Sequence, residues 1–213
     1  MRHIATVLLT LMLAFVSQAA LAQAVRLAGD VIAVEGNMLK LKPTFGADGA
    51  ALLADNVRVN VRFPVDPTRV VPGAYVGALS IPQADGTLRV TALQVFPEAS
   101  RGLAEGHGPM ATDPGSTMTN ATVSAVGGAN TPTSAAVQSV TGDAAGQRVT
   151  VTYKGGEQVL VVPPGTPVYS SAPGDRSLLV PGAHVVVFGR RNADGVVVAE
   201  RLSVGKDGYV PPL

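Results

Sequence analysis

The chain has 213 residues, of which 46% are apolar and 15% charged, and its formal net charge is +1. That length holds one medium or two small domains. The absence of Cys excludes disulfide cross-links and cysteine-ligated metal, and the even charge balance argues against counterion-driven nucleic-acid binding.

Met1-Arg2-His3 precedes an apolar run from Ile4 to Val16, followed by Ser17-Gln18-Ala19-Ala20-Leu21-Ala22-Gln23-Ala24. A basic start, an apolar stretch shorter than the ~20 residues of a membrane span, and small residues at A-x-A spacing predict a cleaved signal peptide over residues 1–24. Export to the periplasm or beyond is the expected destination, with no stable membrane span once the leader is gone. Of the 16 basic residues, Arg2 leaves with it, so 15 remain against 15 acidic ones and the mature chain is neutral.

Beyond the leader, Val residues, 24 Gly and 16 Pro point to short strands and tight turns. Val25 to Val34 reads as a strand, Glu35-Gly36-Asn37 as a turn, and Met38 to Lys42 as the returning strand, with Leu39 and Leu41 opposite Lys40 and Lys42. Residues 43–54 read as a loop. Val57, Val59, Val61 and Phe63 then alternate with Arg58, Asn60 and Arg62, so this strand has one wet face.

A signature hairpin follows. Val71-Pro72-Gly73-Ala74-Tyr75-Val76 leads into Ala84-Asp85-Gly86, and the same pattern returns 109 positions later as Val180-Pro181-Gly182-Ala183-His184-Val185 leading into Ala193-Asp194-Gly195. A repeat one small domain long predicts two copies of a β module. Leu88 and Val90 differ in parity from Leu93 and Val95, and Val197 and Ala199 differ likewise from Leu202 and Val204. One extra residue must therefore be absorbed in each strand, which predicts β-bulges near Thr91-Ala92 and Glu200-Arg201. The expected architecture is all-β: two small OB-like β-barrel modules in tandem, over 25–97 and 120–208. A central Gly/Pro-rich segment (98–119) lies between them and a tail (209–213) follows.

Residues 120–126 open the second copy, and the Gly, Asn, Thr, Pro and Ser-rich stretch from Gly127 to Ala136 interrupts it. Gln147 to Lys154 and Glu157 to Val162 flank Gly155-Gly156, a tight hairpin connection. Ala172-Pro173-Gly174-Asp175 reads as a turn.

The repeated hairpin, Glu105-Gly106-His107, the run from Pro114 to Thr122, Tyr153 to Glu157 and Val204 to Gly208 together resemble a family of exported bacterial proteins of unknown function. The resemblance implies paired OB-like barrels and an exported location. Relatives usually carry a Trp soon after the Glu-Gly-His, where this chain has Gly108-Pro109-Met110.

The candidate site is the polar set of the central segment: Arg101, Glu105, His107, Asp113 and Ser116. Glu105 and His107 could share a cation, although a firm zinc site needs three or four ligands. The plainer alternative is a loop whose His bonds the barrel. His107, Asp113 and Ser116 are triad residue types, but no strand-to-helix nucleophile elbow surrounds the Ser, so no catalytic residue is assigned. No cofactor fingerprint is present. The function expected is non-enzymatic binding of a small molecule, glycan or envelope protein, with metal handling as the alternative and nucleic acid not expected as a partner.

Overall fold

The computed structural model describes residues 24–110, 113–127 and 146–212. The predicted signal peptide, Ala24 apart, and the insertion after Gly127 lie outside the described residues. Those described form twelve strands and four single 3-10 turns. The strands are β1 (Ala24–Glu35), β2 (Met38–Phe45), β3 (Ala50–Pro64), β4 (Tyr75–Pro82), β5 (Leu88–Val95), β6 (Gly106–Pro109), β7 (Thr117–Gly127), β8 (Gln147–Tyr153), β9 (Gly156–Val162), β10 (Val168–Gly174), β11 (His184–Arg191) and β12 (Val197–Gly205).

The chain is therefore all-β, with three local departures from the sequence reading. The loop expected over 43–54 shrinks to residues 46–49, because β2 runs on to Phe45 and β3 begins at Ala50. The turn expected at 172–175 is the end of β10, where Ala172 pairs with Val61. The segment 98–119 is more than a linker, since β6 pairs with β7 inside it.

Strand pairing closes two rings. In the first, β1 lies antiparallel to β2 and β11, β2 pairs with β3, and β11 pairs with β12. Parallel pairing of β12 with β3 completes a closed five-stranded barrel. In the second ring β7 lies between β4 and β8, β8 pairs with β9 and β4 with β5. Here closure comes from a short parallel contact, Leu88 to Leu160 and Arg89 to Val161. Each ring is a three-stranded meander plus one signature hairpin.

The hairpins are exchanged between the repeats. The meander β1–β3 is closed by β11–β12 from the far end of the chain, and the meander β7–β9 by β4–β5. Ring membership thus cuts across the chain-order division into 25–97 and 120–208. Both hairpins nevertheless sit in equivalent surroundings, each antiparallel to the first strand of a meander and parallel to the third.

The alternation seen in the sequence sorts side chains inside from outside. Leu27, Leu39, Leu53, Val187, Ala199 and Leu202 fill one barrel, and Val76, Leu93, Val123, Val149, Val151 and Leu160 fill the other, with no residue common to the two clusters. Burying each such Leu or Val is worth about 1.5–3 kcal/mol, and without disulfides this is the main source of stability. The bulges fall where the parity change demands them. Leu79 pairs with Ala92 and Ser80 with Val90, leaving Thr91 unpaired. In the second hairpin Phe188 pairs with Arg201 and Gly189 with Ala199, leaving Glu200 unpaired.

The barrels are joined through β3 and β10. The 109-residue offset of the hairpins extends through Pro64 and Pro173 to Asp66 and Asp175, whose carboxylates both cap a 3-10 turn. Arg62 pairs with Ser171, its own counterpart at that offset. Val61 pairs with Ala172 and Phe63 with Ser170, so each residue meets the counterpart of the other. That reciprocity is the signature of a two-fold axis, here internal to one chain and passing through the Arg62–Ser171 pair.

A cysteine pair tests the exchange, since the chain has no Cys of its own. Asn60 and Ser203 are direct partners on β3 and β12, whereas an unexchanged barrel would set Gln94, the counterpart of Ser203, beside Asn60. The expected outcome is an intramolecular disulfide in Asn60→Cys/Ser203→Cys and none in Asn60→Cys/Gln94→Cys, read by mass mapping after mild oxidation.

Candidate functional site

The structure divides the predicted polar set into two places. Arg101, Glu105 and His107 lie along the rim of the second barrel, where each bonds to a neighbouring strand or turn. The Arg101 guanidinium pairs with the Glu98 carboxylate, and its Nη2 also donates to the Gly73 carbonyl at 2.8 Å. It thereby pins the central segment onto the Pro-Gly turn of the first signature hairpin. Glu105 accepts the Lys154 amide at 3.1 Å, fixing the same segment to the β8–β9 turn. His107 Nδ1 lies 2.8 Å from Thr119 Oγ1 on the adjacent strand β7, with its ring 6.3 Å from that of Tyr153. Tyr75 donates from its hydroxyl to the Leu103 carbonyl at 3.0 Å. Burial, with the Glu105 charge adding to it, pushes the Tyr75 phenol above its ordinary range.

Asp113 and Ser116 are elsewhere. The Ser116 hydroxyl donates to Asp113 Oδ2 at 2.7 Å, and both residues line an open cleft of about 560 Å³ at the junction of the barrels. The five candidates therefore do not converge. Ser116 and His107 have separate partners, so the triad geometry does not form. Among the described residues no group of three or more His, Cys, Asp or Glu comes together, and Glu105 and His107 offer two donors that already serve as braces.

The cleft is built from strands of both barrels. The outer face of the second barrel supplies Leu79 and Ile81 from β4 and Thr91 and Ala92 from β5. Arg26 of β1 and Phe45 of β2 come from the first barrel, residues 113–116 from the central segment, and Pro212 from the tail. Leu79, Ala92 and Tyr169 form a small third cluster, packed with Met110, Met118 and Tyr209, that holds the barrels together beside the opening. The Arg62 guanidinium donates to the Pro212 carbonyl at 2.9 Å and lies 5.0 Å over the Tyr169 ring, which seats the tail. Apolar walls with a few polar groups in a space of this size are what a small-molecule site requires.

Sequence reading singled out Asp113 and Ser116 and missed the rest. Arg26 lies between Val25 and Leu27 on β1. Nothing local signalled that its face of β1 would be covered. Among the described residues no helix is long and apolar enough to cross a membrane. Comparison with protein-family models, curated proteins and solved structures gives no match.

The brace at Arg101 has a titration signature. Its hydrogen bonds hold the Glu98 carboxyl below the usual range, and the Arg101 guanidinium is correspondingly raised. A depressed carboxyl contributes stability that is present above its unfolded value of about 4.3 and is lost as pH falls through the lowered folded value. Both groups face solvent, so the expected effect on stability is small. The clearer readout is the Glu98 carboxyl titration by NMR, whose midpoint is expected to return to the ordinary range in Arg101→Gln.

Proposed function

We propose that this chain is an exported, non-enzymatic binding protein made of two OB-like barrels, which takes a small molecule in the cleft between them. The OB-like reading is supported by ring order: a meander closed by a hairpin through one parallel contact is a Greek-key five-stranded arrangement. Function is argued from the site and not from that likeness.

The observation that carries the proposal is the cleft itself. About 560 Å³ is open at the barrel junction, lined by Leu79, Ile81, Ala92 and Phe45 with Asp113 and Ser116 at its edge. Ile81 and Phe45 remain 44% and 39% exposed, so apolar surface is presented to an incoming molecule at its walls. A concave apolar site favours a small molecule over a glycan, which stacks on aromatic rings scarce in a chain with 4% aromatics. The metal-handling alternative rests on Glu105 and His107, two donors that no third His, Cys, Asp or Glu joins among the described residues.

Native mass spectrometry of the protein taken from its own envelope fraction tests the reading. The expected outcome is a retained small molecule that is lost in Ile81→Glu, which lays a charge across the opening without disturbing a core. A protein that carries nothing, or an Ile81→Glu variant that retains the same molecule, removes the proposal.

A further inference from the structure

The two-fold axis allows each side chain on one barrel to be compared with its counterpart on the other. On β4, β5 and β7 the outward row at the bulge is Leu79, Ala92 and Met118, with Leu79 paired to both others. The counterpart row on β11, β12 and β1 is Phe188, Arg201 and Arg26, with Phe188 paired to both others. One row is apolar and the other is cationic and aromatic. Because the apolar row builds the same barrel wall, the fold does not require the arginines.

Arg26 is the unusual member. Its residue is only 7% exposed, and Nε and Nη1 are sealed from solvent and meet no hydrogen-bond acceptor among the described residues. The guanidinium lies 5.2 Å over the Phe45 ring, and both residues line the cleft. Stacking on an aromatic face fixes the plane of the cation but supplies no acceptor. Burying a charge without a partner is costly, and such charges are ordinarily paired. Among the described residues that line the cleft the one carboxylate is Asp113, which is bonded to Ser116 and makes no ion pair with Arg26. Arg201 and Arg58, the next positions along the same row, add positive charge beyond Phe188. On the other side of Arg26 the cleft continues over Leu79, Ile81 and Ala92.

We infer that the cleft binds an amphiphilic organic anion, whose carboxylate or phosphomonoester head pairs with Arg26 while its apolar body lies on Leu79, Ile81 and Ala92. This rests on the reading of the cleft as the binding site and names the chemistry of what enters it. An oxyanion is the natural partner for a planar guanidinium, and a bare inorganic anion would leave the apolar wall unused.

Titration calorimetry and thermal unfolding of the purified protein test the inference with four probes: decanoate, octyl phosphate, decanol and inorganic phosphate. Decanoate and octyl phosphate separate the two head groups, and the tighter of them identifies the source. That probe is expected to bind at least tenfold more tightly than decanol or inorganic phosphate. The decisive variant is Arg26→Met, which installs the residue that Met118 already provides at the counterpart position. Loss of a charge-assisted hydrogen bond is expected to weaken anion binding by about 10- to 100-fold. Removing an unpaired buried charge is expected to leave the unliganded unfolding midpoint unchanged or raised, whereas a purely structural Arg26 would lower it. Arg26→Lys, which keeps the charge but not the fork, is expected to fall between the two and serves should the Met variant not fold. A smaller than tenfold loss in Arg26→Met, or a lowered midpoint, overturns the assignment of Arg26. If decanol binds as tightly as the anions, the cleft stands and the anion inference fails. If no amphiphile binds, the cleft reading fails with it.

Discussion

A three-stranded meander leaves two open edges, and everything else in this molecule follows from how those edges are covered. Unpaired strand edges expose donors and acceptors that invite association with other chains, and closing the sheet is the one solution that removes them altogether. Each meander here is closed by a hairpin that is antiparallel to its first strand and parallel to its third. The bulges at Thr91 and Glu200 let the hairpins bend around the barrel while keeping Leu93 and Leu202 on the inside. Without that extra residue the second half of each strand would turn its apolar side chains outward.

The exchange of hairpins has a geometric cause in β3. At 15 residues it spans about 50 Å at the usual strand rise. Only its early residues pair with β2, while its last six pair with β10, and four of those, Val59 to Arg62, also pair with β12 of the first barrel. The chain therefore leaves β3 beside the second barrel, with the Val65 amide bonded to the Val168 carbonyl at 3.0 Å. The hairpin that follows docks where it emerges. The return journey is made by β10, the counterpart of the second half of β3, which carries the chain back before β11. In the second repeat the long strand is broken at Pro163-Pro164-Gly165 into β9 and β10, since proline cannot donate to the ladder.

This arrangement makes the junction a place where two equivalent surfaces have diverged. A strict two-fold would present the same row of side chains from each barrel. Instead the second barrel offers Leu79, Ala92 and Met118, which pack with Tyr169 and Tyr209 into the contact between barrels. The first offers Arg26 and Arg201 around Phe188, with Arg201 stacked 4.4 Å over that ring. Although the Arg201 residue as a whole is exposed, desolvation of its guanidinium, and then the charges of Arg62 and Arg58, hold that group below its ordinary range. The polar residues of the central segment are braces on the barrel rim, apart from Asp113 and Ser116, which reach the cleft.

The amino-acid sequence by itself determined the class of fold, the facing of side chains such as Leu39 and Leu41, the two hairpins and even the positions of their bulges. These depend on period-two alternation and turn chemistry, which are properties of neighbours along the chain. It did not determine which meander each hairpin would close. Val76 and Leu93 match Val185 and Leu202 in type and register, so either hairpin satisfies either barrel, and the choice belongs to the path of β3 and β10 across the axis. The cleft was equally hidden. Its walls come from positions as distant as Arg26, Ala92 and Pro212, and the loneliness of a buried guanidinium depends on what is packed around it, which only the tertiary structure sets.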